Sequence, residues 1–234
     1  MNDRVTVPAL HAMKRYGRKI VGVVAWDTPT AQILDRAGVD IVSVGDSVGV
    51  NLWGREREGD VTLDELVLVC AAVRRGVARA LVSCDLPAGA ADVAAARRLV
   101  EEGGAEIVKV EEAEAVAAIA GAGIPVFAQL DGASAGEEEL VAQAKRLEDA
   151  GASLLDFRHS GPEAGPKVVA AVSIPVLGGL GGGPWLDGRL RMIHRAVGYG
   201  ASAGDAYADV AQVTFDAITA YAEDVRGGRQ VRGG

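Results

Sequence analysis

Residues 80–111, ALVSCDLPAGAADVAAARRLVEEGGAEIVKVE, decide the fold, because they contain one complete repeat of its architecture. Residues 80–84 are an almost continuous apolar run, which is typical of a parallel strand buried on both faces. An alanine-rich stretch of helical period follows over 91–102, and the next apolar run covers 106–110. The two glycines between them supply the left-handed turn that returns a helix to the sheet. The segment therefore predicts a strand, a helix and a second, parallel strand.

The same alternation of apolar runs and amphipathic stretches extends over the rest of the chain. The motifs AGVD, GGAE and AGIP mark returns from helix to strand. The first strand is followed by WDTP and not by GxGxxG, which argues against a dinucleotide-binding sheet. Eight strands in 234 residues favour a closed (β/α)₈ TIM barrel of the α/β class over an open doubly wound sheet. The predicted strands are 20–25, 40–44, 80–84, 106–110, 125–128, 153–157, 175–177 and 190–193, with helices that include 29–37, 63–77, 91–102 and 137–150.

One barrel domain is expected over residues 1–225, with a closing helix over 203–225. The last residues, 226–234 (RGGRQVRGG), are expected to form a disordered tail because of their composition. The charged segment 51–60, NLWGREREGD, predicts a surface loop, either at the barrel mouth or at a subunit contact.

The composition narrows the class of partner. The formal net charge of −8 argues against nucleic acid or an anionic membrane, because both require a basic face. Cys70 and Cys84 are too few for a disulfide framework and are expected to be buried thiols in a reducing compartment. No segment resembles a signal peptide or a membrane span, so the protein is expected to be cytoplasmic. Alanine-rich helices and an apolar content of 49% predict a homo-oligomer.

Acidic residues follow three consecutive predicted strands. Asp46, with Ser47 beside it, follows the second strand, and Asp85 follows the third. Lys109 and Glu111 lie on one side of the fourth strand. The carboxyl ends of barrel strands meet on one face, where three like charges would repel each other. A hard divalent cation such as Mg²⁺ (or Mn²⁺) would remove that repulsion, although Asp46 and Asp85 taken singly also suit helix N-caps or turns.

The sequence AWDTPTAQILDRAGVDIVSVGDSVGV (25–50), the motif DLP after strand three and the motif KVE after strand four resemble the ketopantoate hydroxymethyltransferase (3-methyl-2-oxobutanoate hydroxymethyltransferase) family. The resemblance covers residues 14–200. It implies a barrel of the phosphoenolpyruvate/isocitrate-lyase type, which uses Mg²⁺ to handle enolates of 2-oxo acids. By resemblance, Asp46, Asp85 and Glu111 bind the metal, while Ser47 and Lys109 hold the 2-oxo acid. The resemblance also implies methylenetetrahydrofolate as the one-carbon donor.

The sequence departs from the family's pattern at the ends of strands five and six. The family has a glutamate base after strand six, where this chain reads LLDFRHSGP and Arg158 stands nearest the missing residue. Gln129 replaces the family's histidine after strand five, and the longer segment that follows it is absent. Asp156 or His159 are candidates for proton transfer, and Arg158 for holding a second carboxylate or phosphate. Alternatively, His159 caps the next helix, Arg158 forms a surface salt bridge and Gln129 only fills the rim.

These observations leave three functions open. The first, which we favour, is a Mg²⁺-dependent enzyme that forms or cleaves a carbon–carbon bond in a 2-oxo acid through an enolate. It would be a hydroxymethyltransferase or a relative with another donor, and C3 of 2-oxoisovalerate should exchange deuterium slowly or not at all. The second is a lyase or phosphonomutase-like enzyme of the wider barrel group. The third is a non-catalytic barrel that binds a ligand, which the clustered acids argue against.

Overall fold

Eight parallel strands close into a barrel in the order of the sequence. The computed structural model describes residues 4–87, 89–111, 113–179, 181–199 and 205–231. The strands are β1 (Ile20–Val24), β2 (Ile41–Val44), β3 (Leu81–Asp85), β4 (Ile107–Val110), β5 (Val126–Asp131), β6 (Leu154–Arg158), β7 (Val176–Gly178) and β8 (Gly188–Met192). The architecture is the α/β barrel that the sequence predicts.

Helices alternate with the strands through most of the chain. In the described residues they are α1 (Val7–Arg15), α2 (Thr28–Ala37), α3 (Val48–Asn51), α4 (Leu63–Gly76), α5 (Val93–Glu101), α6 (Ala113–Gly121), α7 (Glu137–Asp149), α8 (Ala164–Ala171), α9 (Ile193–Val197) and α10 (Val210–Arg226). None of the described helices is long and apolar enough to cross a membrane.

All eight predicted strands are present, with ends that differ by a few residues. β2, β3 and β4 are buried at every position, which is why their sequences are apolar runs without alternation. The largest difference is in β5, which continues to Asp131 instead of ending at Ala128. Its last residues pair with β6, where Asp131 lies opposite Arg158.

Side-chain caps and glycines fix the helix ends. Asp27 accepts a hydrogen bond from Thr30 N at 2.8 Å at the start of α2, and Asp92 accepts one from Ala95 N at 2.8 Å at the start of α5. Gly38 ends α2 in the left-handed conformation, with φ of 85°. This is the return from helix to strand that the AGVD motif predicts.

The interior of the barrel is polar towards the carboxyl ends of the strands. Ser83 and Ser43 share a hydrogen bond of 2.7 Å between β3 and β2. Asp85 follows Ser83 on the same face of β3, two residues nearer the carboxyl end. Lys109 of β4 contacts Asp156 of β6. Because β5 lies between these two strands in the barrel, we place this contact in the barrel interior.

The chain divides into two compact units, Met1–Leu190 and Arg191–Gly234. Within the second unit, Arg191 donates a hydrogen bond to the Asp205 carbonyl at 2.9 Å, and Tyr207 N donates to Ala196 O at 2.8 Å. These contacts join the end of β8 and α9 to the segment that leads into α10.

The helix predicted over 203–225 is α10, which begins at Val210. Asp209 caps it by accepting a hydrogen bond from Gln212 N at 3.0 Å, which sets its first residue. The predicted tail, 226–234, starts with the last residue of α10; residues 203–204 and 232–234 lie outside the described part of the chain.

Candidate active site

Lys109 is a buried cation at the centre of the polar interior, with only 4% of its side chain exposed. Its Nζ lies 2.8 Å from Asp156 Oδ2 and 3.7 Å from Asp85 Oδ2. Burial alone would lower the pKa of Lys109, but the carboxylates of Asp156 and Asp85 outweigh it and raise that pKa above its ordinary value. The side chain therefore remains an ammonium ion that can bind an anion.

Asp85 is buried beside this ammonium. Burial raises its pKa to about 7, and nearby Asp46 adds to the rise, while Lys109 opposes it. Its Oδ1 atom is buried and has no hydrogen-bond partner among the described residues. A buried acceptor of this kind needs a cation, a water molecule or a ligand.

Gly45 brings the ends of β2 and β3 together. A methyl group at this position would lie 2.9 Å from Ser47 Oγ and 3.4 Å from Asp85 Oδ2, so the hydroxyl and the carboxyl group converge there. Asp46 lies between Gly45 and Ser47 and is half-buried. Neither acid is a helix cap, since α3 has no side-chain cap and α5 is capped by Asp92.

Arg158 extends the charged cluster to the rim. Its Nε lies 3.5 Å from Asp156 Oδ2 and its Nη1 lies 3.7 Å from Glu111 Oε1, both longer than a charge-assisted hydrogen bond of about 2.8 Å. Only 24% of the side chain is exposed, so this is not a surface salt bridge. Burial would lower the pKa of Arg158, but Asp156, Asp85 and Glu111 raise it.

The predicted metal ligands are only partly assembled. Asp46 follows Gly45, where a methyl group would lie 3.4 Å from Asp85 Oδ2, and the Asp46 carboxylate adds to the raised pKa of Asp85. Glu111 is 45% exposed and is paired with Arg158 instead. Within the described ranges, no group of three or more His, Cys, Asp or Glu side chains is close enough to hold a metal ion. The buried and unpartnered Asp85 Oδ1 is nevertheless the type of oxygen that a hard divalent cation binds.

Gln129 and Asp156 face each other in the register of β5 and β6. In the described part of the chain, Gln129 Oε1 and Asp156 Oδ1 are also buried acceptors without a hydrogen-bond partner. Asp85 Oδ1 is a third such oxygen, and both aspartates pair with Lys109 through their other carboxylate oxygen. The interior is therefore arranged for a polar occupant rather than for packing.

His159 does not cap the next helix, because α8 starts after Glu163 without a side-chain cap. Its Nδ1 instead lies 3.0 Å from Asp131 Oδ1, at the end of β5. The residue is half exposed and stands next to Arg158.

The amino-acid sequence of this barrel matches a known family of proteins. The family model of ketopantoate hydroxymethyltransferase matches residues 4–133 and 129–230. The chain belongs to the ketopantoate hydroxymethyltransferase family. The two matched pieces overlap at residues 129–133.

Named relatives of this family are similar over nearly the whole chain. The 3-methyl-2-oxobutanoate hydroxymethyltransferase of Thermoanaerobacter sp. (strain X514) is 34% identical over 256 residues, which cover 97% of this chain and 93% of that protein. The enzyme of the same name from Salinibacter ruber (strain DSM 13855 / M31) is 36% identical over 253 residues, covering 95% of each. The protein is thus an enzyme similar to these transferases.

Solved structures with the same fold belong to enzymes with other names. A crystal structure of 2,3-dimethylmalate lyase, a member of the PEP mutase/isocitrate lyase superfamily, matches with a TM-score of 0.67 and 15% identity, covering 96% of this chain and 86% of that chain. Phosphonopyruvate hydrolase in complex with oxalate and Mg²⁺ matches with a TM-score of 0.63 and 16% identity, covering 95% and 88%. At these identities the likeness establishes the barrel fold alone.

Two residues that the sequence analysis overlooked lie near the site in this family member. Asp131 is paired with His159, and its only sequence signal is its place two residues after Gln129 on the same face of β5. Glu58 lies in the charged loop and is exposed to solvent. Desolvation raises its pKa, with Asp46 and Glu111 adding to the rise and Arg158 and Lys109 opposing it. The place of the loop, at the barrel mouth or at a subunit contact, stays a prediction.

Proposed function

We propose that the protein is a Mg²⁺-dependent (or Mn²⁺-dependent) enzyme that forms or cleaves a carbon–carbon bond in a 2-oxo acid. The observation that carries this proposal is the buried Lys109 ammonium between two carboxyl groups, beside an Asp85 oxygen that no described residue satisfies. Buried charges that are incompletely paired destabilise a fold, so they are retained for a ligand. A divalent cation and a small anion together complete this cluster.

The cation would be held by the acids after β2, β3 and β4. Asp46 and Asp85 are near each other, and the unpartnered Asp85 Oδ1 fits a hard ion. Glu111 would join this set if its side chain left its long contact with Arg158. A bound cation would supply positive charge that stabilises the negative charge of an enolate.

The 2-oxo acid would be held by hydrogen-bond donors of the protein in the barrel interior. The Lys109 ammonium offers a buried positive charge to the substrate carboxylate, and the Ser47 hydroxyl converges on the same point beside Gly45. Gln129, whose oxygen has no partner among the described residues, has an amide that can orient the substrate from β5. Asp156 keeps Lys109 protonated and in place, since it is bound to the ammonium at 2.8 Å.

The departure at β6 suggests a substrate with a second anionic group. Arg158 occupies the end of β6, and among the described residues its guanidinium makes only long contacts, with Asp156 and Glu111. Its planar fork suits a carboxylate or phosphate. A substrate whose own cleavage generates the enolate, by retro-aldol reaction or decarboxylation, does not require a carboxylate base at C3. This observation favours the lyase alternative over plain hydroxymethyl transfer from methylenetetrahydrofolate.

Turnover assays distinguish these reactions. The first assay offers 2-oxoisovalerate with methylenetetrahydrofolate, and the second offers 2-oxo acids that carry an additional carboxylate. We expect slow or no deuterium exchange at C3 of 2-oxoisovalerate, and cleavage of a dicarboxylic substrate that Arg158→Gln reduces about 100-fold. Arg98→Gln is the control, because Arg98 pairs with Glu102 on the surface of α5.

Two results would contradict the proposal. Fast exchange at C3 that is lost in Asp156→Asn or His159→Gln would restore the plain folate-dependent hydroxymethyltransferase. Absence of turnover and of cation binding with every acid tested would leave the non-catalytic barrel as the better description.

A further inference from the structure

Asp131 is a fixed acceptor at the outer end of β5. Its Oδ1 accepts a hydrogen bond from Ala133 N at 2.9 Å, and its backbone carbonyl accepts one from Ser134 Oγ at 2.6 Å. The Ala133 N–H lowers the pKa of Asp131, partial burial opposes this, and His159 and Arg158 lower it further. The group is therefore a carboxylate with a set direction, and His159 Nδ1 lies 3.0 Å from it.

This contact determines which ring nitrogen of His159 is available. A carboxylate only accepts hydrogen bonds, so Nδ1 carries the proton that it donates to Asp131. Nε2 is then the basic nitrogen. In the described part of the chain no hydrogen-bond partner of Nε2 is found, and half of the His159 side chain is exposed at the mouth.

The backbone of His159 is held in an unfavourable conformation. With φ of 50°, it is the one non-glycine residue with positive φ in the described ranges. Such a conformation costs on the order of 1–3 kcal/mol and persists only where neighbours enforce it. A methyl group at Gly132 would collide with the His159 carbonyl, and one at Gly181 would lie 3.1 Å from His159 Cα. Two glycine turns therefore enclose this backbone and direct the ring towards Asp131.

The Asp131–His159 pair adjoins the charged cluster of the proposed active site. Asp131 lies opposite Arg158 in the β5–β6 register, and His159 follows Arg158 in the chain. Arg158 contacts both Asp156 and Glu111. The imidazole therefore lies next to the Arg158 end of the cluster, at the carboxyl end of β6.

We infer that the Asp131–His159 pair transfers the proton of the substrate hydroxyl group at the barrel mouth, with Asp131 as the positioning residue. In cleavage, His159 Nε2 takes the proton from the hydroxyl on the departing carbon, and the electron pair of that O–H bond forms the new carbonyl. The carbon–carbon bond breaks, and its electron pair stays on C3 as the enolate of the 2-oxo acid. In synthesis the imidazolium returns the proton to the oxygen.

This inference rests on the proposed function, but the pair can be tested without turnover. The chain contains 3 histidines, so nitrogen-15 NMR resolves each imidazole. We expect His159 to be in the Nδ1–H form in the wild type and to lose that preference in Asp131→Ala. An Nε2–H form in the wild type would overturn the inference, whatever the activity.

The activity test uses a 4-hydroxy-2-oxo acid as the substrate for cleavage. We expect His159→Gln to lower kcat about 100-fold or more with little change in KM, and added imidazole to restore part of the rate in His159→Ala. His11→Gln is the matched control, because His11 bonds the Ser153 carbonyl at 2.8 Å, away from this pair.

The outcomes separate the two proposals. Wild-type rates in His159→Gln, or a loss that imidazole does not restore, overturn the proton-transfer role while leaving the proposed function intact. If the wild type cleaves no 4-hydroxy-2-oxo acid at all, both the proposed cleavage and the role of His159 in it are wrong, even with the expected Nδ1–H form.

Discussion

Lys109 explains more of the site than any other residue. It joins Asp85 of β3 to Asp156 of β6 in the barrel interior, where only 4% of it is exposed. Buried ion pairs contribute little net stability, because desolvation offsets their attraction. An apolar residue would fill the same space at lower cost, so the ammonium is best explained by the anion that it can bind.

Replacing Lys109 by Met should therefore have two effects. The carboxyl groups of Asp85 and Asp156 lose their counter-charge, which should destabilise the metal-free fold by about 3–5 kcal/mol. Urea unfolding measures this loss, and Asp156→Asn in the same chain should recover part of it. The double variant should still fail to bind a 2-oxo acid by calorimetry; if it binds one as the wild type does, Lys109 does not hold the substrate.

At this scale the sequence predicts which residues reach the mouth but not how they pair. Strand ends and the period of two place Asp46, Asp85, Lys109 and Glu111 on one face. They do not reveal that Glu111 contacts Arg158. Glu58 was overlooked because the sequence of an irregular loop has no periodicity from which the position of a side chain can be predicted.

The start of α4 is the best-defined local element near the mouth. Thr62 accepts from Glu65 N, and Glu65 Oε2 accepts in return from Thr62 N at 2.9 Å, which completes a capping box. Arg55 from the charged loop pairs with the same carboxylate. This loop therefore depends on the helix cap for its position.

Acid should weaken this element. The Arg55 hydrogen bonds and the Thr62 N–H lower the pKa of Glu65 from 4.5 to about 2. A carboxyl group whose pKa is lower in the folded state stabilises the fold at pH values above its unfolded-state pKa. That stabilisation is lost as the pH falls from about 4.5 to about 2. Urea unfolding at several pH values should show a smaller loss over this range in Glu65→Gln. An identical pH dependence in the two proteins would contradict the assignment.

Thr62→Ala should lower the free energy of unfolding by about 1 kcal/mol at pH 7, because it removes the N-cap of α4.

Two glycines with open surroundings should respond in opposite ways to alanine. Gly38 has φ of 85° and Gly121 is the last residue of α6, and a methyl group at either would meet no atom within 4 Å. Gly38→Ala should destabilise the protein by about 1 kcal/mol, because alanine strains a left-handed turn. Gly121→Ala should stabilise it by about 0.5–1 kcal/mol. Thermal unfolding measures both, and equal shifts would show that conformation is not the cause.

The elements themselves are predictable because strands buried on both faces have a strong signal. The start of α5 differs slightly from prediction, since Asp92 is its cap rather than its first turn. The end of β5 differs more, because Gln129 and Asp131 are polar and do not resemble a strand, although they pair with β6. Polar residues at a strand's carboxyl end are what a barrel active site requires.

The whole molecule has an apolar helix surface that a single chain leaves open. No residue of α10 is buried, and Val213, Phe215 and Ile218 are 67%, 65% and 61% exposed. Exposed apolar surface of this kind marks an interface between subunits. We expect a homo-oligomer by light scattering, and a smaller species in Phe215→Glu/Ile218→Glu. A mass of 24 kDa for the wild type at micromolar concentration would contradict this.

The function proposed for the barrel requires a bound cation. We expect Mg²⁺ to bind one site per chain through Asp46, Asp85 and Glu111, and a 2-oxo acid then to bind more tightly. Asp64→Ala is a suitable control, because Asp64 is 80% exposed on α4 and pairs there with Arg98.

Calorimetric titration of Mg²⁺, with and without 2-oxoisovalerate, measures this directly. The account predicts one binding event in the wild type and in Asp64→Ala, and none in Asp85→Ala, while all three proteins keep the same far-ultraviolet circular dichroism. Unchanged Mg²⁺ affinity in Asp85→Ala would contradict it.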